Sequence, residues 1–589
     1  MASLLLIWRQ IQRASQAAKA RLALLVKQYR WISSPWTEAA GLLLLALSLN
    51  LIGNDRTSLW DRDEPRYAQC AREMRASGDY LHPSFNGEPR YQKPILSYWL
   101  MQVGVFVGGD NPFGNRLMSA CFGAGSCVLV WRLGRRMFGD SAGRIAGFAM
   151  ASAPLVIIES KLATTDASLC FFLTLSYAAG WELTQRASRG WAATLWVSLA
   201  LAILTKGPVA PAFLVSSAVC SWLWCGRPAL AWDRLNLRWG LSLLVLLVAP
   251  WYLTIAWLSR GDFYRVAVGQ QLVNRALEQL ESHGGFPGYY VLTTFLSFFP
   301  WSVFLPLGLR LLWQQRKLNR SFGYLAGWVL GPLPILELFH TKLIHYYLPA
   351  IGGCALVVGW ALEQVASSEL NLRRWRFGRL ALGLLMGIGS VVAVTLLAAV
   401  FIAPSELRLP MIVVAVIIAA TVLVSAEELR RAATRRAWPI LVGGTACAFL
   451  LLTGWLLPNL EHRRLTPQVA ARLAEVCRET SAQPMLWTFQ PPGLVYEFGS
   501  PIPIRRDIPW MDRLVHETGA VVAPLLDWEI EALKKDPRLT LERHGEVTGL
   551  NIERGKTQTV ELVVIRPAPA SLLGRPSVDV AIGQKPLIK

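Results

Sequence analysis

Apolar runs of roughly twenty residues, separated by arginine-rich patches, recur over most of this 589-residue chain. A helix of about 20 apolar residues crosses a bilayer, so these runs predict membrane-spanning helices. We predict about 13 spans within residues 37–457, because that number places every short arginine-dense loop on one side of the membrane. The basic residues behind the formal charge of +20 lie between the apolar runs. That distribution is typical of orientation determinants and argues against a nucleic-acid partner.

The two ends of the chain differ from this middle part. Residues 1–36 carry six basic side chains and no acidic one, which predicts a cytoplasmic N-terminus near anionic lipid. From residue 458 a helical stretch (467–480) is followed by four short apolar runs, which are 485–489, 494–498, 521–526 and 560–565. This pattern predicts a small extracytoplasmic α/β domain over 458–566. The tail, residues 567–589, is rich in Pro, Ala and Gly, and we expect it to be disordered. The predicted fold class is therefore mainly α, a polytopic membrane protein with a small C-terminal α/β domain.

The first outer loop, residues 54–109, is the most charge-dense polar segment between apolar runs. Asp63 stands just before a predicted helix, and Pro65 suits its first turn, where no backbone N–H is needed. Gly78 is suited to end this helix in the left-handed conformation. Lys93 opens a second apolar run, and we expect both helices to lie at the membrane surface. An apolar stripe at helical spacing marks the first helix, formed by Tyr67, Cys70, Ala71 and Met74. Charge beside a membrane indicates a functional site, although Asp63 alone is equally compatible with an N-cap.

The predicted topology gathers further unusual polar residues on the same outer side. They are Asp63, Arg66, Tyr67 and Lys93 of the first loop, Asp166 after the third span, Lys206, a loop from Arg265 to His283, and the group Lys342, His345, Tyr346 and Tyr347. Cations beside tyrosines can hold a phosphate, and a carboxylate can take a proton from an attacking hydroxyl. Glycosyl transfer needs such charge stabilisation as the phosphate leaves. Taken singly, each residue also has an ordinary structural explanation: a helix cap for Asp166, a snorkelling lysine for Lys206, interfacial tyrosines and surface histidines.

Several motifs carry a family resemblance. They are Asp63-Glu64-Pro65-Arg66-Tyr67-Ala68, Ala71-Arg72-Glu73-Met74, Ser77-Gly78-Asp79-Tyr80, Lys93-Pro94, Thr165-Asp166-Ala167 and residues 342–349. On these motifs the chain resembles the integral-membrane glycosyltransferases that use polyprenyl-phosphate sugars. It is most similar to the branch that holds the bacterial 4-amino-4-deoxy-L-arabinose lipid A transferase, which is related to protein O-mannosyltransferases.

The resemblance implies a sugar donor built on undecaprenyl phosphate, an envelope acceptor such as lipid A, and an inner-membrane enzyme whose catalytic loop and C-terminal domain are extracytoplasmic. It implies Asp63 as the catalytic base or acceptor activator and Asp166 as the second aspartate, with Lys93 and either Tyr347 or Tyr346 near the phosphate. Arg66 and Tyr67 match motif residues whose role is open between structure and substrate binding. From the residues and the resemblance together, we predict Asp63 and Asp166 as catalytic residues, and the predicted substrate-binding residues are Arg66, Tyr67, Lys93, Lys342, His345, Tyr346 and Tyr347.

One departure from the family bears on metal binding. The arabinose branch usually has Glu before Lys-Pro, a carboxylate linked to a metal in the family, and here that residue is Gln92. We therefore expect no cofactor and no metal ligands, and the aminoarabinose assignment is put in doubt.

Three other functions stay open from the sequence. The acceptor could be a protein. The chain could also be a transporter of lipid-linked sugars, although no duplicated halves are visible and transporter sites lie near the bilayer midplane. A non-catalytic glycan-binding relative is the third, and the joint presence of Asp63 and Lys93 argues against it.

Overall fold

The computed structural model describes residues 34–61, 63–226, 232–267, 269, 285–316, 320–368, 372–504 and 508–569. Most of the predicted cytoplasmic N-terminus, His283 with most of its loop, and the tail from residue 570 lie outside the described residues, so the predictions for them stay predictions.

Helices dominate the chain as far as residue 461. The first half comprises α1 (Pro35–Leu51), α2 (Asp63–Ser77), α3 (Leu96–Gly108), α4 (Pro112–Phe138), α5 (Asp140–Ala151), α6 (Pro154–Ser160), α7 (Asp166–Gln185), α8 (Arg189–Lys206), α9 (Val209–Cys225) and α10 (Leu237–Leu258). The second half comprises α11 (Asp262–Tyr264), α12 (Tyr289–Ser297), α13 (Leu305–Gln315), α14 (Arg320–Leu330), α15 (Pro332–Leu338), α16 (Ile351–Ser367), α17 (Arg376–Ala399), α18 (Ser405–Arg430), α19 (Thr434–Leu451) and α20 (Leu457–Glu461).

Six helical segments of the described chain are long and apolar enough to cross a membrane, or seven if the bent pair α5–α6 is one span. Shorter apolar helices include α1, α3 and α9. The chain is thus a mainly helical membrane protein, and the finer count of 13 spans stays a prediction.

Proline and glycine interrupt several of the predicted spans. The third predicted span, residues 145–158, is two helices, α5 and α6, which meet at 56° where Pro154 lacks a backbone donor. The fifth and sixth predicted spans, which flank residues 206–208, are separated by Gly207, whose φ of 68° ends α8 immediately after Lys206. These breaks matter for function because Glu159, near the end of α6, and Lys206, at the end of α8, both reach the cavities described below.

The first outer loop folds as α2, a two-stranded hairpin of β1 (Ser84–Phe85) and β2 (Glu88–Pro89), and α3. The predicted stripe is confirmed, since all four of its side chains are at most 3% exposed. Gly78 adopts the predicted left-handed conformation, with φ of 74°, and its N–H donates to the Met74 carbonyl at 3.0 Å.

The C-terminal part contains a small sheet, as predicted. Its strands are β3 (Gln483–Pro484), β4 (Val521–Leu525), β5 (Leu539–Asn551) and β6 (Lys556–Pro567), in the order β3-β4-β6-β5. Only β3 and β4 are parallel, and Val521 pairs with Ile565 in the antiparallel β4–β6 ladder. The helices of this part are α21 (Leu465–Thr480), α22 (Pro492–Phe498), α23 (Ile508–Thr518) and α24 (Asp527–Leu533).

Two of the four apolar runs lie where the α/β prediction suggests strands. The run 521–526 contains β4, and the run 560–565 lies within β6. The run 494–498 is helical instead, because Pro492 favours a helix start and Gly499, with φ of 90°, ends α22. The run 485–489 lies just beyond the short strand β3. The domain boundary predicted at residues 457/458 stays a prediction.

Candidate active site

A buried arginine anchors the polypeptide around the motif at residues 59–67. Arg116 on α4 and Glu64 on α2 form an ion pair at 2.8 Å, and both side chains are only 2% exposed. The Arg116 guanidinium also donates to the carbonyls of Asn54, Thr57 and Ser58, at 2.9–3.0 Å. A planar guanidinium has five donors, so one residue can hold several turns of chain together.

A second buried arginine anchors the same segment from the C-terminal side. Arg464 donates to the carbonyls of Ser58 and Leu59 at 3.0 and 2.7 Å, and its guanidinium lies 4.8 Å from the centre of the Trp60 ring. Asp61 accepts hydrogen bonds from the Thr466 hydroxyl and the Gly493 N–H, at 2.8 and 3.0 Å. Burial raises the pKa of the Asp61 carboxyl, although these partners act in the opposite direction.

Further contacts fix the C-terminal part over the first loop. The Asn86 side chain accepts from the Ile502 N–H at 2.7 Å and donates to the Ile502 carbonyl at 2.9 Å. Arg72 on α2 donates to the Tyr496 carbonyl at 2.7 Å and lies 4.2 Å above the Tyr496 ring. The C-terminal residues are therefore built into the site region.

Asp63 differs sharply from its neighbour Glu64. The Asp63 side chain is 62% exposed, and its ion-pair partner among the described residues is Arg66 at 3.9 Å. Glu64 accepts four hydrogen bonds, from the Trp60 and Ala163 N–H groups and twice from Arg116. Asp63 is thus the exposed carboxylate of the pair, whereas Glu64 fixes the loop.

Lys206, at the end of α8, and Asp166, at the start of α7, form a second buried ion pair. Lys206 Nζ lies 2.6 Å from Asp166 Oδ1, and both side chains are 9% exposed. The same ammonium lies 5.1 Å from the centre of the Tyr346 ring. His345 Nδ1 lies 3.9 Å from Glu159 Oε1. This cluster joins four helical segments: α6, α7, α8 and a short 3-10 helix, Ile344–Ala350.

Two cavities meet at this cluster. The first, called the polar chamber, has a volume of about 780 Å³ and lies between the first loop, the cluster and the C-terminal residues Leu486, Gln490 and Val495. The second, called the apolar cavity, has a volume of about 350 Å³ and is walled by such residues as Phe213, Tyr252 and Phe339. Six residues line both cavities, and we call them the junction: Gln92, Lys93, Asp166, Lys206, His345 and Tyr346.

The structure brings most of the predicted site residues together. Seven of the nine line the polar chamber: Asp63, Arg66, Tyr67, Lys93, Asp166, His345 and Tyr346. Lys342 and Tyr347 line neither cavity. Lys342 is paired with Glu337 and donates to the Phe286 carbonyl at 3.3 Å. The Tyr347 hydroxyl donates to the Val329 carbonyl at 2.6 Å, inside the helical core. Of the two tyrosines between which the sequence left the choice open, Tyr346 is the one at the junction.

Comparison with known proteins agrees with this geometry. The family model described as dolichyl-phosphate-mannose-protein mannosyltransferase matches residues 39–261. An undecaprenyl phosphate-alpha-4-amino-4-deoxy-L-arabinose arabinosyl transferase 1 of Pseudomonas fluorescens is 32% identical over 345 residues, which cover 57% of this chain and 61% of that protein. A similarly named transferase of Pseudomonas paraeruginosa is 32% identical over 351 residues, 58% of this chain and 63% of that protein. The chain thus spans less than two thirds of the length of these curated relatives.

The fold likeness extends over more of the chain. The crystal structure of ArnT from Cupriavidus metallidurans in the apo state has a TM-score of 0.74 with 21% identity, and the match covers 92% of this chain and all of that one. The same protein bound to undecaprenyl phosphate gives a TM-score of 0.72. This chain resembles the ArnT and protein-mannosyltransferase superfamily in sequence and fold. Its fold is therefore an ArnT-like one.

Three residues of this site were not among the predicted site residues. Glu64 lies inside the motif, but its tie to Arg116 spans 52 positions, and the sequence gives no sign of it. Lys206 was grouped with the outer polar residues but was not among the predicted site residues. Arg90 was passed over, although it lies only three residues before Lys93 and lines the polar chamber.

The donor groups at the site do not suggest a metal centre. Within the described ranges, no group of three His, Cys, Asp or Glu side chains is placed to hold a metal ion. Gln92 offers a carboxamide oxygen where the arabinose branch usually has a carboxylate, and an amide is a weaker, uncharged ligand. We therefore assign no step to a metal.

Proposed function

We propose that this chain is a glycosyltransferase that moves a sugar from undecaprenyl phosphate to lipid A or another envelope glycolipid. The observation that carries the proposal is the junction, where a cationic and acidic cluster separates an apolar cavity from a polar chamber. A lipid-linked sugar has the same division into an apolar chain, a charged phosphate and a polar sugar. The arabinosyl transferases and the undecaprenyl-phosphate-bound structure noted above support this choice of donor.

In this proposal the polyprenyl chain enters the apolar cavity and its phosphate stops at the junction. Lys93 and Lys206 line both cavities and supply ammonium groups, and Tyr346 supplies a hydroxyl. Positive charge stabilises the phosphate as it leaves the sugar, so these groups lower the barrier to transfer. Lys342 and Tyr347 take no part, because their polar atoms are engaged elsewhere.

Asp63 is the proposed base. Its exposed carboxylate faces the polar chamber, where it can accept a proton from the acceptor as the acceptor attacks the sugar. Asp166 is held by Lys206 and is placed to orient hydroxyl groups of the sugar or the acceptor. Arg66 and Tyr67 border the same space and complete the substrate surface.

The acceptor enters from the polar chamber, which we propose opens on the extracytoplasmic side of the inner membrane. The arginine-rich loops assigned to the cytoplasm support that orientation. The description of the matching family model favours a protein acceptor as the second candidate.

The experiment is transfer by purified protein in proteoliposomes, with undecaprenyl-phosphate-linked aminoarabinose or hexose as donor. The acceptors are lipid A and, separately, a periplasmic protein extract, and products are weighed by mass spectrometry. We expect a sugar mass on lipid A and release of undecaprenyl phosphate, both lost in Asp63→Asn. If sugar appears on protein alone, the acceptor is a protein and not lipid A. If the donor moves between leaflets without release of undecaprenyl phosphate, the chain is a transporter and not a transferase.

A further inference from the structure

Arg90 is a buried cation with an unusual environment. Only three arginines are buried among the described residues: Arg90, Arg116 and Arg464. Arg116 and Arg464 each have a carboxylate and several carbonyls as partners. Arg90, which is 8% exposed, has no carboxylate partner in the described part of the chain, and its buried Nε has no hydrogen-bond acceptor.

The neighbours of Arg90 are neutral. Its guanidinium carbon lies 5.5 Å from the centre of the Tyr67 ring, and Tyr98 and the thiol of Cys70 are beside it. All three are at most 3% exposed. An arginine stays protonated at any physiological pH, so it cannot escape the cost of burial by losing its charge. A buried charge without a counter-charge is unfavourable, and a bound anion would remove that cost.

The carboxylates around the polar chamber do not fill this role. Glu64 is bound to Arg116, Asp61 lies beside Arg464, and Asp166 is bound to Lys206. The other two carboxylates that line the chamber are Asp63, which lies 3.9 Å from Arg66, and Glu159, which lies 3.9 Å from His345. Among the described residues, Arg90 therefore borders open chamber space rather than a carboxylate partner.

The position of Arg90 separates it from the donor phosphate. The junction residues line both cavities, whereas Arg90 lines the polar chamber alone. A phosphate whose lipid chain fills the apolar cavity would stop at the junction. An anion at Arg90 must therefore belong to the molecule that occupies the chamber, which under the proposed function is the acceptor.

We propose that Arg90 forms an anion subsite that binds a phosphate group of the acceptor, separate from the donor phosphate at the junction. This inference rests on the proposed function. It predicts that removing the phosphate groups of lipid A weakens binding at this subsite, since a guanidinium binds phosphate through paired, charge-assisted hydrogen bonds.

The test compares three lipids on the purified full-length protein in detergent, with binding measured by microscale thermophoresis. The probes are undecaprenyl phosphate, diphosphoryl lipid A and the same lipid A after enzymatic dephosphorylation. In Arg90→Gln we expect affinity for diphosphoryl lipid A to fall about 10- to 100-fold, the value of one or more charge-assisted hydrogen bonds, with undecaprenyl phosphate affinity unchanged. Lys93→Gln should show the reverse pattern, and Arg90→Lys should lie between wild type and Arg90→Gln.

Controls keep the outcomes distinct. Arg431→Gln removes the same charge from an exposed position outside the cavities, and gel filtration confirms that each variant is folded. Equal lipid A affinity in wild type and Arg90→Gln, or a parallel loss for both phosphorylated lipids, would overturn the inference while leaving the proposed function standing. If wild-type protein binds dephosphorylated lipid A with the same affinity as diphosphoryl lipid A, the inference is also overturned. Wild-type protein that binds neither undecaprenyl phosphate nor lipid A would sink the proposed function itself.

Discussion

Replacing each of the adjacent carboxylates Asp63 and Glu64 by its amide should have different effects on stability and on sugar transfer. Glu64→Gln and Asp63→Asn each replace a carboxylate by its amide, so the change in size and charge is matched. We expect Glu64→Gln to destabilise the protein strongly. We expect Asp63→Asn to leave stability nearly unchanged and to abolish sugar transfer.

The magnitude follows from the hydrogen bonds of Glu64. Its two oxygens accept four hydrogen bonds, at 2.6–2.8 Å, all from N–H donors. A glutamine has only one acceptor oxygen, and its amino group would face donors. Arg116 would then be a buried charge without its partner, which costs about 3–5 kcal/mol. Asp63→Asn loses an exposed contact with Arg66 at 3.9 Å and a negative charge in the first helical turn. Together these contribute at most about 1 kcal/mol to the free energy of unfolding.

The assay is thermal unfolding in detergent followed by intrinsic fluorescence, for which the chain supplies 25 tryptophans. At about 2 °C per kcal/mol, the lower end of the range for larger domains, Glu64→Gln should lower the midpoint by about 6–10 °C. The midpoint of Asp63→Asn should stay within about 2 °C of wild type.

Two results would contradict these expectations. Equal midpoints for the two variants would show that the Arg116–Glu64 pair does not hold the loop. Transfer at the wild-type rate in Asp63→Asn would remove Asp63 as the base, whatever its stability.

Three further perturbations test other contacts. Lys206→Gln should cost about 3–5 kcal/mol by stranding the Asp166 carboxylate, and adding Asp166→Asn should restore part of the melting temperature; additive losses would contradict the pairing. Burial raises the pKa of Asp110, but hydrogen bonds and charge from two arginines on α2 outweigh it, so the net pKa is lowered. The stabilisation that ionised Asp110 provides is complete above the ordinary carboxyl pKa of about 3.9 and is lost as pH falls through the lower pKa of the folded protein. The melting temperatures of wild type and Asp110→Asn should therefore converge as the pH is lowered. A constant difference between them down to about pH 3 would refute this. Asn86→Ala removes two hydrogen bonds to Ile502, and limited proteolysis should release the C-terminal part faster than in wild type; an unchanged cleavage rate would mean that other contacts suffice.

Sequence patterns predicted what depends on neighbouring residues along the chain. The apolar runs became helices, the stripe from Tyr67 to Met74 became the buried face of α2, and Gly78 took the left-handed conformation that ends it. Each follows from local geometry and hydrophobicity, which a short window of residues contains in full.

Tertiary structure decided which polar residues face the polar chamber. Asp63 and Glu64 are adjacent carboxylates in the sequence. Glu64 is bound by Arg116, 52 residues away, and by two backbone N–H groups, whereas Asp63 is left exposed. Tyr346 and Tyr347 are likewise adjacent, yet one lines the junction and the other donates to a carbonyl in the core.

The sequence by itself determined a helical membrane protein with a charged first loop and a small C-terminal sheet. It did not determine that Arg464, more than 400 positions beyond Ser58, would fix the loop, or that Arg90 would be buried without a carboxylate partner among the described residues. The physical reason is that hydrophobic periodicity is a local property. The pairing of buried charges depends instead on which distant side chains the packed helices bring within hydrogen-bond distance.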